Sequence, residues 1–313
     1  MLAAAAVAGV LHACRPEPGL GTITYTRAGK RHIVDLASCR ERVEPGRPTT
    51  PRPLVAADGT VAFVRASRDW WTIVARKGGR SRDVYRISRR YHVVTDDTGP
   101  PELLGWSPNG QWVLFVVDPD ASGSIQADGL VLRAVSVAGG QVVRIARMLV
   151  YRDYLTWCGD ELVFTGGGDR VATSHKRLLV ASPPAWRPRP LVVAPGRSWG
   201  SVACAPSGRW LVAQSQRQSD NPSFFATHWA LWRVGLDGST RRLTSPPRGY
   251  TDESPRISRD GRTLMFVRSR KGTGKLYALR SSNVVGPLLL LGNEAGFYGH
   301  HDWWLTADWS AAR

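Results

Sequence analysis

The chain has few lysines and no stretch in which basic residues are concentrated. Only five of its 42 basic residues are lysines, and the arginines are spread through the whole sequence. The densest spots are the pairs Arg89-Arg90 and Arg241-Arg242. Nucleic-acid-binding proteins usually concentrate basic charge in a stripe, a helix or a tail. We therefore expect no nucleic-acid partner, and we interpret the net charge of +17 as a weak attraction to anionic surfaces.

The sequence also lacks the common signatures of metal and phosphate chemistry. It has four cysteines, and the spacing of Cys39, Cys158 and Cys204 fits no Cys-x-x-Cys metal motif. Neither His-Glu-x-x-His nor the phosphate-binding Gly-x-x-x-x-Gly-Lys loop occurs. We therefore predict no metal and no organic cofactor from motifs. A chain of 313 residues is long enough to bury a large core without disulfides.

No apolar run is long enough to cross a bilayer, because Leu2–Leu11 has only ten residues where about 20 are needed. The run ends in Leu11-His12-Ala13-Cys14, which resembles a signal peptide followed by a lipoprotein-type cleavage site. His12 is larger than that site usually allows, and no basic segment precedes the run. We expect an exported, extracytoplasmic protein, with lipid attachment at Cys14 as an alternative to simple cleavage. A disordered or buried N-terminal stretch is the competing interpretation.

An internal repeat determines the predicted fold. Five blocks pair a glycine turn with a following apolar run; they are Ala57–Phe63, Trp106–Phe115, Cys158–Phe164, Cys204–Ala213 and Ile257–Phe266. Aligned on their last residues, the blocks are 52, 49, 49 and 53 residues apart. Asn-Gly and Asp-Gly favour tight turns, and the unbroken apolar runs suit strands buried on both faces. Two further short strands follow each block, so each unit predicts a four-stranded propeller blade.

The two ends of the chain predict how the first blade is completed. Gly21–Tyr25 matches Gly59–Phe63, but no inner strand precedes it. That strand, with its Trp-Ser pair, occurs at the other end as Leu305–Ser310. The sequence therefore predicts an all-β, six-bladed β-propeller with four antiparallel strands per blade, whose first blade is closed by the C-terminal strand. We assign residues 1–20 to the N-terminal signal and a short linker, and residues 21–313 to a single propeller domain.

The repeats resemble those of the TolB family, whose units carry a Ser-Pro-Asp-Gly core. Ser107-Pro108-Asn109-Gly110 is the most similar segment. The resemblance implies a non-catalytic, exported module that binds a protein partner in the cell envelope. We expect a monomer that reaches the membrane only through a lipid anchor, if one is attached.

Three carboxylates occur at equivalent positions of three units. They are Glu102, Asp153 and Glu253, which lie four residues before Trp106, Trp157 and Ile257, respectively. We expect them near the mouth of the central channel, where they could hold a cation such as calcium or a basic residue of a partner. The alternative is that each one caps a loop or pairs with a neighbouring arginine.

The loops that lead into the inner strands supply the other candidate binding residues, which are Trp199, Tyr250, Tyr298 and His301. His300-His301-Asp302 also fits a metal ligand or a general base, or else a role in positioning the last strand. Phe224-Phe225 could form an aromatic patch or fold back over the blade. The main rival to a binding scaffold is a hydrolase or lyase acting on a sugar or lactone with these carboxylates or a histidine. A sensor domain with a separate partner chain is the third hypothesis.

Overall fold

The structure is a computed structural model, and it describes residues 14–27, 30–45, 54–89, 99–118, 127–221, 227–293, 298, 300–301, 303 and 307–311. Within these residues the chain forms 24 β-strands and one short 3₁₀ turn, Arg152–Tyr154. All of the strand pairs are antiparallel. None of the described segments is a helix with the length and apolar character needed to cross a membrane. The predicted all-β class is confirmed.

The N-terminal sheet contains strands from both ends of the chain. Its order is β24-β1-β2-β3, with β1 at Thr22–Arg27, β2 at Lys30–Asp35, β3 at Glu41–Pro45 and β24 at Ala307–Ser310. Ile23 lies opposite Trp309 in the ladder between β1 and β24. The Trp309 indole Nε1 donates to the carbonyl oxygen of Leu20 over 2.6 Å. The predicted pairing of the C-terminal strand with the first strand is present.

The remaining strands form three four-stranded sheets, which follow the order of the chain, and one eight-stranded sheet. The first contains β4 (Leu54–Val55), β5 (Val61–Ala66), β6 (Trp70–Lys77) and β7 (Arg80–Ser88). The eight-stranded sheet contains β8 (Pro101–Trp106), β9 (Trp112–Val117), β10 (Leu130–Ser136), β11 (Val142–Met148), β12 (Leu155–Cys158), β13 (Glu161–Gly166), β14 (Arg177–Ala181) and β15 (Arg189–Pro190). In this sheet β11 pairs with β13, and β12 branches off β13. The next sheet contains β16 (Arg197–Cys204), β17 (Trp210–Arg217), β18 (Ala230–Gly235) and β19 (Thr240–Arg242). The last sheet contains β20 (Thr251–Ile257), β21 (Thr263–Arg270), β22 (Thr273–Arg280) and β23 (Asn283–Asn293).

The repeated Ser-x-x-Gly segments form the same turn in different sheets. Between β8 and β9, the Ser107 hydroxyl donates to Asn109 Oδ1 and accepts from the Trp112 backbone N–H. Between β20 and β21, Ser258 makes the equivalent bonds to Asp260 and from Thr263. The turn glycine has a positive φ in both cases, +68° and +71°. Because glycine adopts this conformation at no steric cost, the repeat in the sequence is a repeat of backbone geometry.

Hydrophobic clusters join successive groups of four strands, where the two halves of the eight-stranded sheet count as separate groups. They join β4–β7 to β8–β11, β8–β11 to β12–β15, β12–β15 to β16–β19, β16–β19 to β20–β23, and β20–β23 to the N-terminal sheet. Among the described residues, no such cluster joins the N-terminal sheet to β4–β7. The sheets therefore pack one after another in chain order, but they are not closed into a ring.

Two disulfides connect parts of the chain that are distant in sequence. Cys14 is bonded to Cys39, and Cys158 at the end of β12 is bonded to Cys204 at the end of β16. The first bond contradicts lipid attachment at Cys14, because a sulfur in a disulfide has no thiol left to carry a lipid. The spacing of the cysteines did not reveal either bond, since pairing depends on which residues meet in space. The apolar run Leu2–Leu11 lies outside the described residues.

Candidate functional site

We call the first strand of each four-strand unit, β4, β8, β12, β16, β20 and β24, an inner strand. The entry rim is the rim at which these strands begin, near Leu54, Pro101, Leu155, Arg197 and Thr251. A buried polar cluster lies close to the starts of β12 and β20. His300 Nε2 lies 3.2 Å from Asp153 Oδ1. The Ser201 hydroxyl, from β16, donates to Asp153 Oδ2 over 2.6 Å. The His300 ring packs between Tyr151 and Tyr154, with ring centroids 4.0 and 4.8 Å away. Asp153 is thus held by a histidine from the C-terminal segment and a serine from the neighbouring sheet.

The adjacent histidine makes a second pair with a different sheet. His301 Nδ1 lies 3.0 Å from Glu253 Oε2, in β20. The Ser269 hydroxyl donates to the other oxygen of Glu253 over 2.6 Å. His301 stacks on Trp303 with ring centroids 5.5 Å apart. Adjacent side chains of an extended segment point to opposite sides, so one histidine reaches a carboxylate in the 3₁₀ turn Arg152–Tyr154 and the other reaches a carboxylate in β20. We call Asp153, Glu253, His300 and His301 the histidine–carboxylate cluster.

Electrostatics favour an ionised Asp153 within this cluster. Burial acts to raise the pKa of Asp153. The charge of His300 and the hydrogen bonds from His300 and Ser201 outweigh that effect and hold the pKa below its ordinary value. A buried carboxylate is tolerated when it is paired and hydrogen-bonded. Asp153 meets both conditions, which is how a carboxylate stays charged at the centre of an apolar fold.

The structure does not bring the three predicted carboxylates together. Glu102 is half-buried in β8, and its nearest cation is the Arg152 guanidinium at 3.8 Å. Burial raises the pKa of Glu102, and the charge of Arg152 opposes the shift. Within the described residues, no group of three or more His, Cys, Asp and Glu side chains is placed to hold a metal ion. Calcium binding by these carboxylates stays a prediction without a cluster to support it.

The other predicted site residues lie in different environments. Trp199 is only 2% exposed and packs in the core between β12–β15 and β16–β19, so it does not lie on the surface as predicted. Tyr250 and Tyr298 are half-buried at the entry rim, beneath the guanidinium groups of Arg270 and Arg170. Phe224-Phe225 and Asp302 lie outside the described residues.

The sequence analysis did not identify two features at the entry rim. Gly196-Arg197-Ser198-Trp199-Gly200 matches the Gly-x-Ser-x-Gly pattern of hydrolases. In hydrolases the serine sits exposed on a strand-to-helix turn. Here Ser198 lies inside β16, fully buried, and its hydroxyl donates to the Ala172 carbonyl. The pattern is therefore part of a strand and forms no nucleophile elbow.

The second feature is a buried lysine. Lys176 has no exposed surface, and its Nζ donates to the carbonyl oxygens of Asp169, Val171 and Ser174 at 2.6, 2.9 and 2.9 Å. Burial lowers the pKa of Lys176 to about 8. Its position in a loop between two strands is visible in the sequence, but its burial is not. Lys176 holds this loop of the entry rim in place.

Comparisons with known proteins identify the fold. No protein-family model matches the chain, and no curated protein matches it in sequence. The solved structure of an oligogalacturonate lyase in complex with manganese matches with a TM-score of 0.50 and 13% identity, covering 88% of this chain and 74% of the lyase. The fold is a β-propeller.

Two TolB structures are also similar to this propeller. TolB from Acinetobacter baumannii matches with a TM-score of 0.46 and 17% identity over 88% of this chain. The putative TolB from Agrobacterium tumefaciens matches with a TM-score of 0.48 and 16% identity over 88% of this chain and 91% of its own. The chain spans 64% of the length of the Acinetobacter protein. At such low identity these likenesses concern the fold and not the activity.

Proposed function

We propose that this chain is a six-bladed propeller that acts as a non-catalytic scaffold and binds a protein partner outside the cytoplasm. The blade count follows from counting the eight-stranded sheet as two blades. Among the residues that the structure describes, its two halves pair only at Met148 and Gly166, where β11 meets β13. Every other strand pair in that sheet falls within β8–β11 or within β12–β15.

The main support for a scaffold is the burial of the groups best suited to acid–base chemistry. Asp153, Glu253, His300 and His301 are each at most 2% exposed, and each is engaged by another member of the cluster. A general acid or base must come within hydrogen-bond reach of its substrate. These four groups instead connect the segment before β24 to the 3₁₀ turn Arg152–Tyr154 and to β20, which is a structural role.

The disulfides support a location outside the cytoplasm. All four cysteines are paired. Disulfides form and persist in oxidising compartments, and they are rare in the cytosol of mesophiles. The disulfides support this location independently of the N-terminal apolar run. Because Cys14 is bonded to Cys39, we propose export by a leader that is cleaved or retained, without a lipid on Cys14.

The entry rim is the proposed binding surface. Tyr250 and Tyr298 lie there, each stacked by an exposed arginine. Tyrosine and arginine are enriched among the residues that dominate binding energy in interfaces. Stacking also fixes the orientation of both side chains before a partner arrives, which lowers the entropic cost of binding.

Crosslinking capture from envelope fractions tests this proposal. The bait is the intact chain, compared with Tyr250→Ala/Arg270→Ala. Arg209→Ala is the control, because Arg209 is exposed at the turn between β16 and β17, on the opposite rim. We expect the double variant to capture at least tenfold less of the partner than the parent, while the control captures the parental amount. Equal capture by the double variant would move the site away from this rim.

Glu102 favours the alternative of an enzyme acting on a sugar or lactone. It is the one predicted carboxylate that is partly exposed, and burial raises its pKa. A raised carboxyl pKa beside a surface is typical of a general acid. Turnover of polygalacturonate or an aldonolactone that disappears in Glu102→Gln would establish this alternative and overturn the scaffold. Turnover that persists in Glu102→Gln would exclude Glu102 as the acid.

A further inference from the structure

Three arginines lie close together at the entry rim of the sheet β16–β19. Arg197 and Arg217 are direct Cα partners in the ladder between β16 and β17. Arg242 is the direct partner of Trp232 in the ladder between β18 and β19. Like charges directly opposite each other destabilise a sheet. Folding alone therefore does not favour this arrangement.

Neighbouring groups hold two of the guanidinium groups in place. Arg197 lies over the Trp232 ring, 4.4 Å from its centroid, and its Nε donates to the Ser215 hydroxyl over 3.1 Å. The Nε of Arg242 donates to the Thr244 carbonyl over 2.8 Å. An arginine has five N–H donors in a planar fork. Since the bond to each Nε uses one of them, the terminal nitrogens remain to bind a ligand.

The three positive charges are not balanced by nearby carboxylates. Within the described part of the chain, no Asp or Glu oxygen lies within 4.0 Å of Arg197, Arg217 or Arg242, whereas nine other arginines have such a partner. Burial, followed by the charges of Arg242 and Arg217, lowers the pKa of Arg197. A bound anion would remove this repulsion.

A groove opens beside the arginines. It has a volume of about 730 Å³ and is lined by Pro195, Gly196, Arg197, Arg217, Gln218, Ser219 and Asp220. The groove thus combines positive charge and polar groups with one carboxylate, at Asp220. A groove of this volume is larger than a simple inorganic anion requires, and it suits a peptide segment that carries acidic side chains.

We propose that Arg197, Arg217 and Arg242 bind a carboxylate of an acidic peptide segment that lies in this groove. This inference rests on the proposed function, because it specifies the chemistry of the protein partner. Arginine forks bind carboxylates through paired hydrogen bonds. The stack on Trp232 fixes one fork in advance, and Arg217 and Arg242 supply the surrounding positive charge.

Fluorescence anisotropy with a labelled peptide tests the site. The probe is a fluorescein-labelled, end-capped hexapeptide of alternating Glu and Leu, and its reference is the same peptide with Gln in place of Glu. The variants are Arg217→Gln and Arg242→Gln, both at exposed positions, and the double variant. Arg209→Gln is the matched control, since Arg209 is exposed at the turn end of the same sheet.

We expect the Glu peptide to bind the parent and the Arg209→Gln control equally, and the Gln peptide to bind neither. Each single variant should weaken binding about tenfold, because one charge-assisted interaction is lost. Equal binding by the double variant would overturn the inference. Displacement of the peptide by millimolar inorganic phosphate would also overturn the inference and indicate a simple anion site. Tighter binding of hexagalacturonate than of the peptide would overturn it too, because the groove would then be a site for an acidic sugar.

The capture experiment separates this inference from the function on which it rests. If the double variant Arg217→Gln/Arg242→Gln still captures the partner, the peptide site is wrong while the scaffold stands. If the parent captures no partner yet binds the peptide, the groove is a carboxylate site and the scaffold is wrong. Loss of capture together with loss of peptide binding supports both.

Discussion

At the scale of single residues, the pair of Asp153 and His300 shows how a buried charge is accommodated. Neither residue has appreciable exposure, and each depends on the other for compensation. Removing one partner of a buried pair typically costs 3–5 kcal/mol, because it leaves an uncompensated charge or polar group. We expect Asp153→Asn to lower the free energy of unfolding by about 3 kcal/mol. Urea denaturation measures the free energy of unfolding. The control Asp160→Asn, at an exposed aspartate, should change that free energy little.

The same pair predicts a dependence on pH. The pKa of Asp153 is lower in the folded state than in the unfolded chain. Between those two values the unfolded state binds more protons, so stability falls as the pH falls. The stabilisation is fully present above the ordinary aspartate pKa, about 4, and is lost below it. The difference in unfolding free energy between the parent and Asp153→Asn should therefore be constant near neutral pH and shrink at pH 3, and a constant difference at both would contradict the assignment.

Lys176 predicts a pH effect at the alkaline end. Its folded pKa of about 8 lies below the ordinary lysine value of 10.5. Between these values the unfolded chain binds the extra proton, so the contribution of Lys176 to stability rises with pH and is smallest below pH 8. Relative to Lys176→Met, the parent should gain up to about 3 kcal/mol between pH 8 and 10.5. Denaturation curves of both proteins across this range measure the difference, and parallel pH profiles would contradict the shift.

At the scale of secondary-structure elements, the short strand β24 tests how the first sheet is held. Trp309 packs against the cluster that contains Leu20 and Ile23, and its indole donates to the Leu20 carbonyl. Replacing a packed tryptophan with alanine removes its buried area and leaves a cavity. We expect Trp309→Ala to lower the unfolding free energy by about 3 kcal/mol. Trp70→Ala makes the same substitution at an exposed site on β6, and an equal loss there would show that the β24 pairing adds nothing specific.

The element scale also shows what the sequence can predict. The Ser-x-x-Gly turns and the pairing of the C-terminal strand follow from local chemistry and from a missing strand in the repeat. The buried position of Trp199 does not follow from the sequence, because β16 has a register shift between Trp199 and Val202. Similar shifts occur in β8 after Leu103 and in β20 after Glu253. Each shift changes the face that later residues point to, so alternation along the strand could not place the candidate site.

At the scale of the whole molecule, the C-terminal segment connects several sheets at once. β24 pairs with β1 in the first sheet, while His300 and His301, just before it, contact Asp153 and Glu253 at the starts of two other sheets. Ser201 joins the same cluster from the sheet between them. Sequence repeats predicted the individual sheets, but contacts between non-adjacent sheets depend on the completed fold. The histidine–carboxylate cluster is therefore visible only in the structure.

The disulfide between Cys158 and Cys204 makes the final prediction at this scale. It closes a loop between residues 46 apart, and it links the inner strands β12 and β16 of neighbouring sheets. Closing a loop of that length removes about 4 kcal/mol of unfolded-state entropy in the chain-entropy treatment. We expect Cys158→Ser/Cys204→Ser to lose about that much stability under oxidising conditions and to match the parent when both proteins are fully reduced. Chain purified from its native compartment should already contain both disulfides by mass spectrometry, since the proposed location is oxidising. Four free thiols in the native protein, or a lipid on Cys14, would contradict the location and the pairing together.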